Sequence, residues 1–361
     1  MKILLVDGAP RKNGFTREMV ELFAQGATNA GGYVHQVRLS GLDVRPCLGC
    51  YGCWSSSTPG SCVQRDDMAA LIERFYASDA LVLATPVYYY SFSALLKAFI
   101  ERLLPTTRPG VGRGRNTGIC RNRMRRADRG PDRSVLIAVG AHRDLENMAG
   151  IEKCFELICE GTNTDPCGRL LRPESYLLDF TLGKPVTQRR VRAAFERAGR
   201  ELVTRGCVAH QTEIDAASRL TSSEEMFGRH FDNYWRIASE IGAAGSDRAR
   251  IRRVASEDPR ILIPELAECY DAGAGDGLEA AIQLEIDSAC WRLEIADGRC
   301  EACRGAHPNP ELTLRTDAAT FADLVLQRID PRAALRDERV VADGSRSLLA
   351  RFPRLFPPPS K

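Results

Sequence analysis

Residues 2–16 read Lys-Ile-Leu-Leu-Val-Asp-Gly-Ala-Pro-Arg-Lys-Asn-Gly-Phe-Thr: a short apolar strand, a polar loop with two glycines, and a helix-like segment from Thr16. A loop that opens at the carboxyl end of a buried strand and runs into a helix can aim backbone N–H groups at an anion, with the helix dipole adding to the attraction. Gly8 and Gly14 are read as allowing backbone conformations and close approach that a Cβ would hinder. The spacing is neither G-x-G-x-x-G nor G-x-x-x-x-G-K-[ST], so a mononucleotide with one terminal phosphate fits it better than a dinucleotide. An ordinary strand-to-helix turn has the same local grammar.

Outward from this loop, strand and helix alternate. Met19, Val20, Phe23 and Ala27 recur at helical spacing, Gly31-Gly32 ends that helix, and a strand follows over Tyr33 to Leu39. After an irregular cysteine-rich segment at 46–62, Asp66-Asp67 cap a helix to about Ala77. The run Ala80-Leu-Val-Leu-Ala84 reads as a strand buried on both faces, as in a parallel sheet. Helix is expected over Ser91 to Leu104, strand over Ser134 to Val139, and helix again over Glu146 to Cys159 and Val186 to Thr204. An α/β three-layer parallel sheet is the economical packing, with its ligand site at the carboxyl ends of the strands. Between Arg108 and Arg133 nine arginines interrupt the rhythm. The segment reads as a long basic loop, either a solvated surface or a lid that attracts phosphates or an acidic substrate.

From about Asp258 strands follow one another: Ala280 to Ile286, Cys290 to Ala296, Arg299 to Arg304 and Glu311 to Arg315, with Asp297-Gly298 as a tight turn. This is expected to be an antiparallel meander. Helices over Ala318 to Gln327, Pro331 to Arg336 and Ser345 to Phe352 come next, before the stop Pro357-Pro358-Pro359, which makes a smaller α+β domain.

With 361 residues, two domains are the natural expectation, and a formal charge of +3 announces no nucleic-acid partner. The N-terminus does not read as a signal peptide, and Ala80 to Ile100 is too interrupted for a membrane span. Thirteen cysteines without a secretion signal point to reduced thiols and a cytoplasmic protein, in which some cysteines serve as ligands or redox groups.

Gly8-Ala9-Pro10-Arg11-Lys12-Asn13-Gly14-Phe15-Thr16, the cysteine segment, Asp66-Asp67-Met68 and Thr85-Pro86-Val87-Tyr88-Tyr89, taken in order, resemble the flavodoxin-like NADPH-dependent FMN reductases, in particular the branch with the iron-sulfur flavoproteins. The resemblance covers about residues 1–240. It implies a five-stranded parallel sheet binding FMN, with the phosphate on Ala9, Pro10, Arg11, Asn13, Gly14, Phe15 and Thr16. Pro86, Val87, Tyr88 and Tyr89 would lie along the isoalloxazine ring, and a third contact would come from Gly140 and His142. Tyrosines offer flat apolar faces for such a ring, although they serve equally well as packing residues. Where the family usually has serine and asparagine, this chain has Ala9 and Phe15, which removes two side-chain hydrogen-bond partners near the phosphate.

The cysteines are spaced Cys47-x2-Cys50-x2-Cys53-x8-Cys62, and four thiolates so placed can hold a 4Fe-4S cluster. The iron-sulfur flavoproteins use such a run that way. The longer last gap also resembles a variant in reductases described as plain flavoproteins. A cluster, a zinc site and free thiols packing the loop all stay open.

Residues 258–361 resemble the sterol carrier protein type 2 fold, through Ala281 to Ile286, Asp297-Gly298, Pro310 to Thr316, Thr320 to Leu326, Ile329-Asp330-Pro331 and Gly344. That family holds apolar molecules between sheet and helices; a packing or dimerisation module is the alternative. Arg336-Asp337-Glu338-Arg339 stands where the family usually has a glycine-containing turn. The expected division is thus 1–245, a flavodoxin-like domain with basic loop 105–133 and helices 222–244; a linker, 246–257; and 258–361. The resemblance implies an oxidoreductase carrying hydride or electrons from NAD(P)H through FMN to a quinone, nitro or other small acceptor, in a homodimer or homotetramer. An iron-sulfur electron carrier and a non-enzymatic binder of apolar ligands are the alternatives. No catalytic side chain is assigned, because the flavin would carry the chemistry.

Overall fold

The computed structural model describes residues 1–55, 57–179, 185–244 and 247–357. The chain divides into two compact units, one of residues 1–175 and 189–219, the other of 176–188 and 220–361.

In the first unit, strands β1 (Lys2–Asp7), β2 (Tyr33–Arg38) and β3 (Ala80–Pro86) are followed by β4 (Thr107–Arg113), β5 (Cys120–Met124), β6 (Arg133–Val139) and β7 (Asp165–Arg172). Five of them form a parallel sheet in the order β2-β1-β3-β6-β7, the flavodoxin-like order with its switch point between β1 and β3. The continuous apolar runs have their expected cause, since every residue of β3 is buried. Leu4, Val6, Leu81, Leu83 and Leu136 share a core with Phe75 and Phe99 from the flanking helices Met68–Tyr76 and Ala94–Glu101. The latter helix is shorter than the segment 91–104 read for it: Ser93 caps its start, and a tight 3-10 turn, Leu104–Thr106, follows it.

The basic stretch 105–133 is not an irregular loop. Residues Thr107–Arg113 and Cys120–Met124 pair as a two-stranded antiparallel ribbon. Two of its arginines hold carbonyls of the ribbon itself: Arg121 Nε donates to Arg113 O at 3.0 Å and Arg123 Nε to Val111 O at 3.0 Å. Glu160 accepts from the backbone N–H of Thr117 at 2.6 Å.

The second unit contains β8 (Ala280–Ile286), β9 (Ala289–Ala296), β10 (Arg299–Arg304), β11 (Leu312–Thr316) and β12 (Val341–Gly344), in the order β10-β9-β8-β11-β12. The first three strands make the expected meander, with Asp297 and Gly298 both at positive φ in its turn. The fourth does not continue it. β11 crosses over to run parallel to β8, and β12 pairs with β11, which makes the sheet mixed. Trp291, Leu293 and Ile295 alternate inward to meet Leu262, Phe321 and Leu355 from helices Pro259–Glu268, Ala318–Val325 and Arg346–Leu355. Glu338 adopts φ +55° in the turn that follows helix Pro331–Arg336. Helix Glu224–Glu240 falls in this unit, and the stretch read as a linker contains helix Arg248–Ala255. Residue 246 and Pro358-Pro359 lie outside the described residues.

Candidate functional site

Three loops leave the carboxyl ends of β1, β3 and β6, which are neighbours in the sheet. The order of strands alone therefore brings together Ala9–Thr16, Pro86–Tyr89 and Gly140–His142.

The first loop is held from below. Gly8 N donates to Ala84 O at 2.8 Å, and Gly8 O accepts from Ser93 Oγ at 2.7 Å. A Cβ on Gly8 would lie 2.6 Å from Leu96 Cβ and 2.9 Å from Ser93 Oγ, so glycine is required by packing rather than by φ. At Gly14 the expectation fails. Its φ of −91° and ψ of 167° suit any residue. Helix Phe15–Asn29 starts there without a side-chain cap. Ala9, Phe15 and Thr16 are buried, Arg11 is half-buried, and Pro10 and Asn13 are exposed. Phe15 thus spends its side chain on the core.

Asp7 was not read as part of this site. Its buried carboxylate accepts the Ala9 N–H at 2.9 Å and meets Arg17 Nη1 at 3.2 Å. One amide of the loop is therefore already engaged, and the negative charge beneath the loop is balanced by an arginine from the first turns of the helix. An Asp at a strand end and an Arg ten positions later carry no periodic signal, so sequence reasoning had no handle on the pair.

In the second loop Pro86 ends the buried strand, and Val87 N donates to Val139 O at 2.9 Å. Tyr88 and Ser91 exchange hydrogen bonds of 3.1 and 3.0 Å. Tyr89 and Tyr90 between them sit at φ +47° and +62°, and Tyr89 is 99% exposed. Bulky side chains rarely adopt that region, and such strain gathers where a surface is kept for a ligand. Gly150 makes room for the turn, since its Cβ would come within 3.2 Å of Tyr90 O.

In the third loop Gly140 N donates to Arg172 O at 2.9 Å, Ser175 N to Gly140 O at 3.0 Å, and Glu174 N to His142 O at 2.9 Å. His142 itself is exposed. Beneath it Arg172 is fully buried, and desolvation brings its guanidinium pKa down to about 9. Nη1 donates to Ala216 O at 3.1 Å and Ser218 O at 2.8 Å, which fixes the end of β7 under the loop.

Cys47, Cys50, Cys53 and Cys62 line one pocket, of about 20 Å³, together with Tyr51, Glu101, Arg102 and Pro105. Cys53 is buried, and that burial, with the neighbouring thiols, raises its pKa above the ordinary thiol value. Arg102 Nε, also buried, has no hydrogen-bond partner among the described residues. A cationic N–H on the wall suits an anionic thiolate assembly. Among the described residues, no group of three or more His, Cys, Asp or Glu has metal-holding geometry. Helix Ala94–Glu101 links the two places: its start packs on Gly8 and its end lines the cysteine pocket. Eight residues span about 12 Å at 1.5 Å per residue.

The arginine-rich ribbon is not a lid over the three loops. Arg115 pairs with Asp165 at the start of β7, and Arg126 with Glu73 near the end of helix Met68–Tyr76, so the ribbon sits at the amino end of the sheet. The helix preceding it returns the chain from the carboxyl ends of the strands, as a right-handed crossover must, and that sets the location.

Residues 1–116 match the NADPH-dependent FMN reductase family. Residues 266–357 match the SCP-2 sterol transfer family. Over 105 residues the chain is 40% identical to an iron-sulfur flavoprotein of Archaeoglobus fulgidus, covering 29% of this chain and 46% of that protein. A Methanosarcina thermophila iron-sulfur flavoprotein is 32% identical over 102 residues, 28% of this chain and 52% of its own. The chain spans about half the length of these curated relatives. Among solved structures, the NAD(P)H:quinone oxidoreductase from Methanothermobacter marburgensis aligns with a TM-score of 0.42 at 20% identity, over 56% of this chain and 96% of that one. No helix among the described residues is long and apolar enough to cross a membrane.

Proposed function

We propose that the first unit binds FMN and acts as an NAD(P)H-dependent oxidoreductase toward a small organic acceptor of quinone, nitro or azo type. The observation that carries the reading is the uncapped start of helix Phe15–Asn29 beside the loop after β1, within a region that matches the FMN reductase family. Arg11, Asn13, Gly14 and Thr16 would hold the phosphate. Pro86, Val87, Tyr88 and Tyr89 would line the ring on one side, and Gly140 and His142 on another. FMN, when bound, supplies two-electron and one-electron transfer. The chain's own residues have the work of positioning: Ser93 and Ala84 fix Gly8, Arg17 neutralises Asp7 at the base of the loop, and the turn at 88–91 presents tyrosine faces to which a planar nicotinamide or acceptor can stack. A homodimer or homotetramer and an apolar acceptor supplied by the SCP-2-like unit belong to the same proposal.

The test is a visible spectrum of protein purified without oxygen, taken before and after addition of FMN and then NADPH. Flavin bands that bleach with NADPH and return with a soluble quinone are the expected result. Their absence after reconstitution overturns the reading.

A second reading rests on the four thiols around one pocket, about one short helix from the phosphate loop: a 4Fe-4S cluster on Cys47, Cys50, Cys53 and Cys62 exchanging single electrons with the flavin. Iron and acid-labile sulfide in the anaerobic protein, lost in Cys53→Ala, are expected on this reading. A flavin-replete protein with neither, even after reconstitution with iron and sulfide, overturns it.

A further inference from the structure

Away from the three loops, a second pair of cysteines has been brought together by the fold. Cys167 lies near the amino end of β7, and Cys207 lies forty positions later, just past helix Pro185–Arg205; their sulfurs are 2.6 Å apart. Val208 N donates to Cys167 O at 2.8 Å, so the backbone is pinned at the same place. Cys167 is buried, with 7% of its surface exposed, whereas Cys207 is exposed. Gly206 turns at φ +82°, and a Cβ there would fall 2.4 Å from Arg133 Nη1, which sets a guanidinium beside the turn that carries Cys207. An accessible thiol beside a cation, with a second thiol within bonding reach, is the arrangement of a peroxide-sensitive pair.

We propose that Cys167 and Cys207 form a reversible disulfide when the protein meets a peroxide, and that this bond clamps strand β7 to the segment after helix Pro185–Arg205. Hydrogen peroxide oxidises the exposed Cys207 sulfur to a sulfenic acid and leaves as one water. The Cys167 sulfur then attacks Cys207, its proton departs with the displaced hydroxyl as a second water, and the S–S bond forms. Two thiols lose two electrons and one peroxide gains them. A dithiol reductant reverses the bond by exchange.

Burial, then the neighbouring sulfur, push the Cys167 thiol up to about 12, and the exposed Cys207 sulfur is the one a peroxide in solution reaches first. The pair sits at the amino end of β7, whereas the three loops lie at the carboxyl ends of the strands, so the bond acts on the fold and not as a relay to the flavin.

The test treats the full chain with hydrogen peroxide, blocks remaining thiols with iodoacetamide under denaturing conditions, and maps the digest by mass. A peptide linked through Cys167 and Cys207 is expected, with both thiols recovered after dithiothreitol. The oxidised protein should melt roughly 5–15 °C higher than the reduced one. Cys207→Ser should abolish the linked peptide and the shift while leaving the melting temperature of the reduced protein unchanged. Recovery of Cys207 as a sulfinic or sulfonic acid, or of Cys167 still fully alkylated after oxidation, overturns the proposal, as does linkage of either residue to a different cysteine.

Discussion

Arg102 Nη1 lies 2.6 Å from Asp66 Oδ2 and Nη2 lies 2.8 Å from Oδ1, with the arginine side chain 1% exposed and the aspartate fully covered. The pair closes the base of the cysteine segment. Arg102 also donates to Arg45 O at 2.8 Å, and Asp66 accepts from Arg45 N at 3.2 Å, so the chain entering the segment is tied to the chain leaving it. Removing one partner strands a buried charge. Asp66→Asn or Arg102→Met should each cost about 3–5 kcal/mol in urea unfolding, and the double variant less than their sum. The Arg102 bond holds the Asp66 carboxyl below the usual carboxylate range. A depressed carboxylate contributes stability that is complete above its unfolded value, about 4, and is lost as pH falls through its lower folded value. Wild type should therefore lose more stability than Asp66→Asn in that acid window.

Gly8 carries a different kind of constraint. Its missing Cβ would overlap both Leu96 Cβ and Ser93 Oγ, and the carbonyl of Ala84 stands 3.2 Å away on the sheet side. Gly8→Ala should destabilise the first unit by about 1–3 kcal/mol, the usual cost of overpacking. FMN binding should weaken with it, because the same shift moves the loop. Gly14→Ala meets only the Arg11 side chain at 3.7 Å and serves as the control, with unfolding close to wild type.

Ala9 is buried, with its amide on Asp7 Oδ1, yet it offers no hydroxyl. Ala9→Ser should restore one hydrogen bond to a charged phosphate, about 1.5–3 kcal/mol, and tighten FMN binding by roughly ten- to a hundred-fold in a fluorescence titration. An unchanged dissociation constant would mean that residue 9 does not face the phosphate.

What could be read in the sequence followed burial. Ala80 to Ala84 announced a central strand because both its faces are covered, and three neighbouring loops followed from that order. β7 gave no such sign: Asp165-Pro-Cys-Gly-Arg-Leu-Leu-Arg172 holds a proline, a glycine and three charges, which an edge strand tolerates. The ribbon at 107–124 was hidden because residues such as Arg121 and Arg123 cap carbonyls of their own hairpin instead of showing an apolar alternation. Likewise the parallel pairing of β11 with β8 is a choice between partners far apart in sequence, and alternation within β11 is the same for either. At the site, the tyrosines were visible as residue types, but the backbone that holds them was not.

That backbone leads to the sharpest expectation. With Tyr88 and Ser91 paired, Tyr89 and Tyr90 occupy the two central positions of a tight turn at positive φ, where asparagine and glycine are at home. Each left-handed residue with a full side chain costs about 1–2 kcal/mol, so Tyr89→Asn with Tyr90→Gly should raise stability by roughly 1–2 kcal/mol after glycine's own entropy is charged against it. If the rings are there for a stacked ligand, the same variant should lose affinity for FMN or turnover with a soluble quinone. Thermal melts and steady-state rates on one preparation separate the two effects. A gain in both stability and rate would show that the strained turn serves neither the flavin nor its acceptor.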